Sequence, residues 1–558
     1  GELTAIRAQI AAPDDYDWEG DRPLGRPLGE AVIYELHVRG YTRHASCGGK
    51  YPGTYRGLAD KIPHLKALGI THVELLPVFA FDREEVPPAA TAYGLSNFWG
   101  YSPYAPFALH PHYAASGDVR AEFRDLVKAL HRAGIGVILD VVLNHTAEGG
   151  DEGVTIGLRG LANEVFYLLD PKDRSKYSNF TGVGNTINSN HPLVAWYIRE
   201  CLVYWAREMH VDGFRLDLAS SHARGEDGEP LTHPPALWSI ELAPDLEDVH
   251  LIAEPWDAVG LYQLGSFPGF RWAEWNGRYR DSVRRYLRGD GGMIGEVATR
   301  IAGSSDQFAL AGKAPQNGIN FVTCHDGFTL YDLVSYDRKH NEANAEHNRD
   351  GRDDNYSWNS GFEGPTDDAA ILRLREQRAR NHLALLLLSQ GVPMLLGGDE
   401  VLRSQLGNNN AYCQDNPLSW VDWSFSPAAR AMLRFTRELI ALRLRHPSLR
   451  RTRFIDPESH DLRWCGENGE PPDWNDPEAR VLCFTLAGLT PDEPALHVLT
   501  NMSKEPKLLP LPRVAPLEWR RLADTSLPPP ADVTPAGEAV RGARYRLPSH
   551  AVAIFEAK

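Results

Sequence analysis

The stretch VDGFRLDLAS, residues 211–220, places an arginine and an aspartate inside an otherwise apolar run that is typical of a β-strand. Side chains alternate along a strand, so Arg215 and Asp217 point to one face while the apolar residues between them point to the other. A buried charge is costly unless it is paired or used. An isolated pair of this kind is commonly a structural ion pair, so its meaning depends on what the rest of the chain places beside it.

Apolar, strand-like stretches alternate with amphipathic stretches over most of the chain. Continuous apolar strands separated by helices indicate parallel βα units, and eight such units close into a (β/α)8 TIM barrel. Long gaps between some units predict loop insertions at 80–112, 146–190 and 328–368. The predicted strands are 31–38, 71–78, 136–144, 213–219, 250–256, 318–326 and 393–400, with an eighth, less regular one at 270–276.

The two ends of the chain differ in character from this α/β pattern. Residues 1–28 are rich in Pro, Asp and Gly, which predicts an N-terminal linker or arm. The barrel pattern occupies residues 29–455. Residues 456–558 contain short strand-like runs separated by Pro-rich turns, which predicts a separate C-terminal antiparallel β-sandwich.

The composition of the chain excludes several classes of function. The chain of 558 residues is 42% hydrophobic and carries a formal net charge of −16, with acidic and basic residues interspersed. This balance argues against a nucleic-acid partner or an anionic membrane surface, and no apolar run approaches the ~18 residues of a membrane span. Six scattered cysteines without a C-x-x-C pair, and no signal peptide, predict a cytoplasmic protein with reduced thiols.

Polar residues collect where the predicted barrel strands end. In a TIM barrel, residues at the carboxyl ends of the strands face the active site. Three carboxylates, Asp217, Glu254 and Asp326, follow three different strands, so we expect them to converge on one mouth. The other polar residues at these ends are Asp140, Asn144, His145, Arg215 and His325.

These residue types suit the cleavage of a glycosidic bond. The reaction needs an acid that protonates the leaving oxygen and a carboxylate that traps or stabilises the oxocarbenium-like centre. Arg215 is expected to keep Asp217 ionised, as a nucleophile requires. The apolar run before Glu254, followed by Pro255 and Trp256, is expected to raise the pKa of Glu254 and suit it to act as acid and base.

Four motifs resemble, in order, the signature regions of the α-amylase superfamily: DVVLNH (140–145), GFRLDLA (213–219), AEPW (253–256) and FVTCHDGFTL (321–330). Further stretches resemble the isoamylase-type bacterial glycogen debranching enzymes, and this resemblance runs from about Asp15 to the end of the chain. Those stretches are GLSNFWGYSPYAPFALHPHY (94–113), LLLSQGVPMLLGGDE (386–400), GNNNAYCQDN (407–416) and DWNDPEARVL (473–482).

The resemblance implies a retaining glycosidase that cleaves α-1,6 branch linkages of glycogen or its limit dextrins, with a branched α-glucan as its partner. It implies Asp217 as nucleophile, Glu254 as general acid/base and Asp326 as transition-state stabiliser. The substrate-binding residues it implies are Tyr101, Asn144, His145, Arg215, Trp256 and His325.

Several alternatives stay open at this point. An α-1,4-glucan hydrolase or a glucanotransferase of the same superfamily would share the three carboxylates, and a non-catalytic polysaccharide-binding protein is a more distant alternative. Family members commonly carry an N-terminal carbohydrate-binding module, which we expect to be absent or trimmed here. Cys324, where an alanine is common, is interpreted as a small apolar thiol. No cofactor or metal is predicted, because HPHY (110–113) offers only two histidines, although a structural calcium stays open.

Overall fold

The computed structural model describes residues 15–514 and 517–558. Eight parallel strands close into a barrel in the order β1-β10-β9-β8-β7-β6-β5-β2, while β3 and β4 pair as a separate antiparallel hairpin. The strands of this part are β1 (Ile33–Leu36), β2 (His72–Leu75), β3 (Phe79–Phe81), β4 (Pro103–Leu109), β5 (Gly136–Val141), β6 (Gly213–Leu216), β7 (His250–Ala253), β8 (Ala273–Trp275), β9 (Gly318–Asn320) and β10 (Val392–Leu396).

All eight predicted barrel strands are confirmed, including the less regular one at 270–276, which contains β8. The observed strands are shorter than predicted because their last polar residues leave the sheet. In the strand predicted at 213–219, Leu218 has φ +40°, a left-handed conformation that ends the extended run just after Asp217. The residues that follow each strand therefore belong to the loops at the mouth of the barrel.

Alternation along the strands builds two apolar layers. Side chains that point into the barrel, such as Ile33, Ile138 and Ile252, form one buried cluster. Those that point outward, such as Val73 and Phe214, pack in a larger cluster that contains the helices. The barrel is therefore apolar on both faces of its sheet, and the charges carried by its strands are exceptions that need a reason.

Fourteen helices occur in the described part of the chain, and the longer ones cover the barrel. Several begin at capping side chains: Asp118 accepts the amide of Ala121 at the start of the fifth helix, and Ser426 accepts that of Ala429 at the start of the last. The helices are α1 (Val38–Thr42), α2 (Tyr55–Ala59), α3 (Ile62–Leu68), α4 (Pro88–Ala92), α5 (Val119–Arg132), α6 (Leu158–Phe166), α7 (Pro192–Glu208), α8 (Pro235–Glu241), α9 (Gly277–Arg288), α10 (Ile294–Ile301), α11 (Ser305–Phe308), α12 (Leu330–Leu333), α13 (Ala369–Leu388) and α14 (Pro427–Arg445).

The C-terminal part is antiparallel, as predicted. A six-stranded sheet of order β11-β12-β13-β18-β15-β16 lies with a two-stranded sheet of β14 and β17, and a buried apolar cluster contains residues of both. Its strands are β11 (Leu462–Cys465), β12 (Val481–Leu486), β13 (Leu496–Asn501), β14 (Lys507–Pro510), β15 (Trp519–Asp524), β16 (Val533–Ala539), β17 (Arg544–Leu547) and β18 (Ala551–Ala557).

The arm predicted at residues 1–28 lies partly outside the described residues, which begin at 15. Its described part contacts the barrel: the Trp18 ring stacks on His210 with centroids 3.6 Å apart, and the Leu24 amide donates to Asp212 at 2.8 Å. The predicted boundaries at 28 and 455 stay predictions. No helix in the described part of the chain has both the length and the apolar character needed to cross a membrane.

Candidate active site

Arg215 on β6 holds three carboxylates around one guanidinium. Its Nη1 donates to both oxygens of Asp140, at 2.8 and 2.9 Å, and lies 3.2 Å from Oδ1 of Asp217. Its Nη2 lies 3.0 Å from Oε2 of Glu254. The Trp275 ring packs against the guanidinium, 4.2 Å away. The arginine and aspartate of the 211–220 stretch are thus two members of a larger ionic cluster.

Arg215 is completely buried, and burial disfavours its charged form. The carboxylates of Asp140 and Glu254 more than offset that cost, so the pKa of Arg215 is raised well above its usual value. Asp140 responds differently, because burial raises its pKa to about 6 even though Arg215 acts in the opposite direction. A permanent cation therefore organises the site, and its carboxylates differ in how readily they take up a proton.

Asp217 is placed by the loops on either side of it. Its amide donates to the Val141 carbonyl at 3.1 Å, which continues the sheet one residue past β6. Nδ2 of Asn144 donates to the Asp217 carbonyl at 2.7 Å and to its Oδ2 at 2.9 Å. With Arg215 on Oδ1, both carboxylate oxygens have a donor, and the side chain retains only 12% exposure toward the mouth. This arrangement fixes the orientation of the Asp217 carboxyl group.

Glu254 follows β7 and shares the guanidinium with Asp217. The Leu218 amide donates to its Oε2 at 2.7 Å, and Arg215 contacts the same oxygen. Burial raises the pKa of Glu254 to about 7; Arg215 opposes this shift and the Asp217 charge adds to it. A carboxyl with this pKa can exchange a proton near neutral pH, which is what a general acid/base requires.

Tyr101 and His325 form a stacked pair beside the carboxylates. Their rings lie 4.9 Å apart with an interplanar angle of 21°, and the Tyr101 hydroxyl donates to Asp140. Glu35 on β1 receives the His325 amide at 2.8 Å and lies 2.7 Å from its Nδ1. Burial alone would lower the pKa of His325, but Glu35 outweighs it, so the pKa is raised.

His145 and Trp256 complete the polar and aromatic lining. Nε2 of His145 lies 2.8 Å from the Tyr101 carbonyl, and its Nδ1 is paired with Asn144. Burial lowers the pKa of His145, which favours the neutral ring. Trp256 is half-buried, and its ring stacks almost parallel to Tyr262, 5.7 Å away with an angle of 6°.

Asp326 stands apart from the ionic cluster. Its side chain is exposed, and no hydrogen bond or ion pair of the described residues involves its carboxylate. It follows the buried Cys324, whose thiol donates to the Asp326 carbonyl at 3.3 Å. The structure thus brings the other predicted site residues together by direct contacts or stacking, except Trp256, whose ring stacks on Tyr262. Asp326 is free to meet a ligand. Burial raises the pKa of the Cys324 thiol well above its usual value, which fits an unreactive thiol.

Comparison with known proteins agrees with this architecture. Residues 31–152 match a family model for the α-amylase catalytic domain, and residues 463–556 match one for the C-terminal domain of isoamylases 1–3. A glycogen operon protein GlgX homolog of Mycobacterium tuberculosis is 48% identical over 492 residues, covering 85% of this chain and 67% of the relative. Isoamylase 1 of Arabidopsis thaliana is 43% identical, covering 94% of this chain and 70% of the relative. The chain belongs to the isoamylase-type α-amylase superfamily.

Solved structures extend the comparison to the whole fold of this superfamily member. Pullulanase type I from Bacillus subtilis, in complex with maltose, has a TM-score of 0.77 at 25% identity, covering 98% of this chain and 73% of that one. For a pullulanase from Bacillus acidopullulyticus, the TM-score is 0.74 and 62% of that chain is covered. The chain spans about two thirds of the length of the curated relatives it matches.

Sequence reasoning missed two charged residues of the isoamylase-type barrel. Glu35 and Glu74 face each other on β1 and β2, and both are completely buried. No hydrogen bond of the described residues satisfies either carboxyl oxygen of Glu74, and burial raises its pKa well above the usual value. The signal was present, because each glutamate interrupts an apolar strand as Arg215 does, but neither lies in a signature motif.

The two histidines of the HPHY stretch, His110 and His112, lie in an aromatic environment. The rings of His110 and His112 stack 5.0 Å apart, and Phe81 stacks on the other side of His110 at 3.9 Å. Burial lowers the pKa of His110 to about 3. Among the described residues, no group of three or more His, Cys, Asp or Glu side chains is arranged to hold a metal ion.

Proposed function

We propose that this chain is a retaining glycosidase that hydrolyses α-1,6 branch linkages of glycogen and its limit dextrins. The observation that carries the chemistry is the sharing of one buried guanidinium by Asp217 and Glu254. Both carboxyls contact the same guanidinium at the mouth of the barrel, and Glu254 has a pKa of about 7. Retaining enzymes need two carboxyls only about 5–5.5 Å apart, whereas inverting ones leave room for a water between them.

The residues supply each step of a double displacement. Protonated Glu254 donates its proton to the glycosidic oxygen while the Asp217 carboxylate attacks the anomeric carbon, forming a glycosyl ester and releasing the alcohol. Ionised Glu254 then takes a proton from water, which attacks the same carbon and returns Asp217 to its carboxylate form. A pKa of about 7 lets Glu254 serve in both directions.

The surrounding side chains suit a sugar ring at this position. The stacked Tyr101 and His325 offer a flat aromatic surface, and His145 lines the same mouth. The exposed Asp326 is placed to bind sugar hydroxyls and to favour ring distortion. Each of these steps uses a proton or an electron pair held by the chain, so we propose that catalysis needs no cofactor.

The preference for branch points rests on the relatives. A protein of Klebsiella pneumoniae named glycogen debranching enzyme is 49% identical over 462 residues, covering 82% of this chain and 68% of that protein. The free thiols at all six cysteines fit a cytoplasmic site of action. A branched α-glucan is accordingly the proposed partner.

The second candidate is an α-1,4-glucan hydrolase or glucanotransferase, because those chemistries use the same three carboxylates. Incubation with pullulan, amylopectin and a linear maltodextrin separates the two. Debranching predicts new linear chains from amylopectin and no shortening of the linear maltodextrin. Shortened linear chains with intact branch points would reject the proposal, and transfer products of increased length would identify a glucanotransferase.

A further inference from the structure

Two cysteines face each other in the C-terminal sheet, although nothing in their sequence spacing suggests a pair. Cys465 on β11 lies directly opposite Cys483 on β12 in the antiparallel register. Opposed residues on such strands have Cα atoms about 4.5–5.5 Å apart. A disulfide spans about 4.4–6.8 Å between Cα atoms, so this strand register brings the two backbones within the range that a disulfide can connect.

The two thiols also differ in access and acidity. Cys483 is buried in the apolar cluster between the two C-terminal sheets, whereas Cys465 is partly exposed. Interaction with Cys483 lowers the pKa of the Cys465 thiol, although burial opposes this shift. The same interaction, together with burial, raises the pKa of Cys483. The accessible sulfur is thus the better nucleophile, and the buried thiol is positioned to complete the exchange.

We propose that Cys465 and Cys483 are a modification site that takes a reversible intramolecular disulfide from a low-molecular-weight disulfide such as oxidised glutathione. The Cys465 thiolate attacks one sulfur of the oxidant, forming a mixed disulfide and expelling one glutathione thiolate. Cys483 loses its proton and attacks the Cys465 sulfur, expelling a second glutathione, and the released thiolates take up the protons. The cysteine pair is oxidised by two electrons, and one glutathione disulfide is reduced to two thiols.

Cys465 and Cys483 lie at the two ends of the loop 466–482, which contacts the barrel. Within 466–482, the Pro477 carbonyl accepts the Gly292 amide at 3.1 Å, and Nε of Arg480 donates to the Gly289 carbonyl at 2.8 Å. Both glycines lie between α9 and α10. A bond between Cys465 and Cys483 closes this loop covalently and restricts the unfolded chain, so oxidation is expected to raise the thermal stability of the C-terminal sheet.

The test uses the full folded chain in buffers of increasing oxidised-to-reduced glutathione ratio. After acid quenching and alkylation, peptide mass spectrometry identifies linked cysteines, and thermal unfolding is measured on the same samples. We expect a Cys465–Cys483 linked peptide and a rise of a few degrees in the unfolding temperature, both reversed by dithiothreitol. Cys465→Ser and Cys483→Ser abolish both effects. Cys47→Ser, which removes the other partly exposed thiol, leaves both unchanged.

Two results would overturn the proposal. One is a stable glutathione adduct on Cys465 that Cys483 never displaces. The other is a linkage that appears only when denaturant is added, because the folded register would then not favour it. The test is independent of the glycosidase proposal, since linkage and thermal stability are read without substrate.

Discussion

Nη2 of Arg215 lies 3.0 Å from Oε2 of Glu254, yet burial raises the pKa of this glutamate to about 7. A single buried arginine would normally hold a neighbouring carboxyl ionised. Here Asp140 and Asp217 compete for the same guanidinium, and the Asp217 charge itself favours a protonated Glu254. The cluster therefore orients Asp217 and leaves Glu254 able to exchange its proton near neutral pH.

Glu254→Gln is expected to lower kcat/KM on pullulan by roughly 10²–10⁴-fold, because the variant no longer protonates the leaving oxygen. Activated aryl glucosides, whose leaving groups need less protonation, retain more activity.

In the wild type, kcat/KM falls as the pH rises through about 7, since Glu254 then loses its proton. This fall in kcat/KM with rising pH is absent in Glu254→Gln. Exposed Glu226→Gln serves as the matched control; equal losses on both substrate classes would contradict the assignment.

The Asp326→Asn variant is expected to lose activity while keeping the stability of the wild type. Because this carboxylate is exposed and takes part in no ion pair of the described residues, the variant is expected to keep its melting temperature within about 2 °C. The loss of a charge that stabilises the transition state lowers kcat by roughly 10²-fold. Arg215→Ala provides the contrast, since it leaves buried carboxylates without their cation and destabilises the fold by about 3–5 kcal/mol. Calorimetry measures the stability of both variants, and steady-state kinetics measures their activity. A large fall in stability for Asp326→Asn would reject the role assigned to Asp326.

The barrel and most of the site could be predicted because their signals are local. Apolar strands mark the βα units, and several of them are followed by a charged residue, so Asp217 and Glu254 were found from the strands that carry them. Glu35 was not found, because its partner His325 lies 290 residues further along the chain, after a different strand. The Cys465–Cys483 register depends likewise on strand pairing, which spacing along the chain does not reveal.

Strand ends were the least accurate part of the prediction, and the reason is physical. Apolar character continues past β6 into the loop, but the left-handed Leu218 breaks the extended run. Its amide then turns toward Glu254, which it contacts at 2.7 Å. The same residue thus ends a strand and positions a carboxyl, a dual role that hydrophobic patterning does not encode.

Glu74→Gln is expected to change stability in a pH-dependent way. The raised pKa of Glu74 means that its contribution to stability is fully present below the unfolded value near 4.5 and is lost as the pH rises. Glutamine keeps the shape without a proton to lose. The stability of the variant relative to wild type therefore increases between pH 5 and pH 8, by up to about 1.4 kcal/mol per pH unit. Denaturant unfolding at both pH values measures this.

Exposed Glu458→Gln is the control for the Glu74 experiment, and its stability relative to wild type is expected to stay constant with pH. A constant difference for Glu74→Gln as well would show that Glu74 titrates normally.

Trp256 and Tyr262 are expected to contribute to substrate affinity through their stacked rings. Removal of an aromatic contact costs about 0.5–1.5 kcal/mol, so Trp256→Ala and Tyr262→Ala should raise KM for branched dextrins several-fold. Tyr262→Phe preserves the ring and serves as the matched control, with KM close to that of wild type. Steady-state kinetics on dextrins of defined branch length measure the effect. If Tyr262→Phe were as impaired as Tyr262→Ala, the hydroxyl rather than the stacking would be responsible.

The most direct test of the central claim is proton NMR of a branched limit dextrin recorded during the first minutes of hydrolysis. One spectrum reports both the bond that is cleaved and the configuration of the released sugar. We expect the α-1,6 anomeric signal to decrease while the α-1,4 signal stays constant, and the new reducing ends to appear first as the α-anomer. A decrease in the α-1,4 signal alone, or initial appearance of the β-anomer, would contradict the central claim.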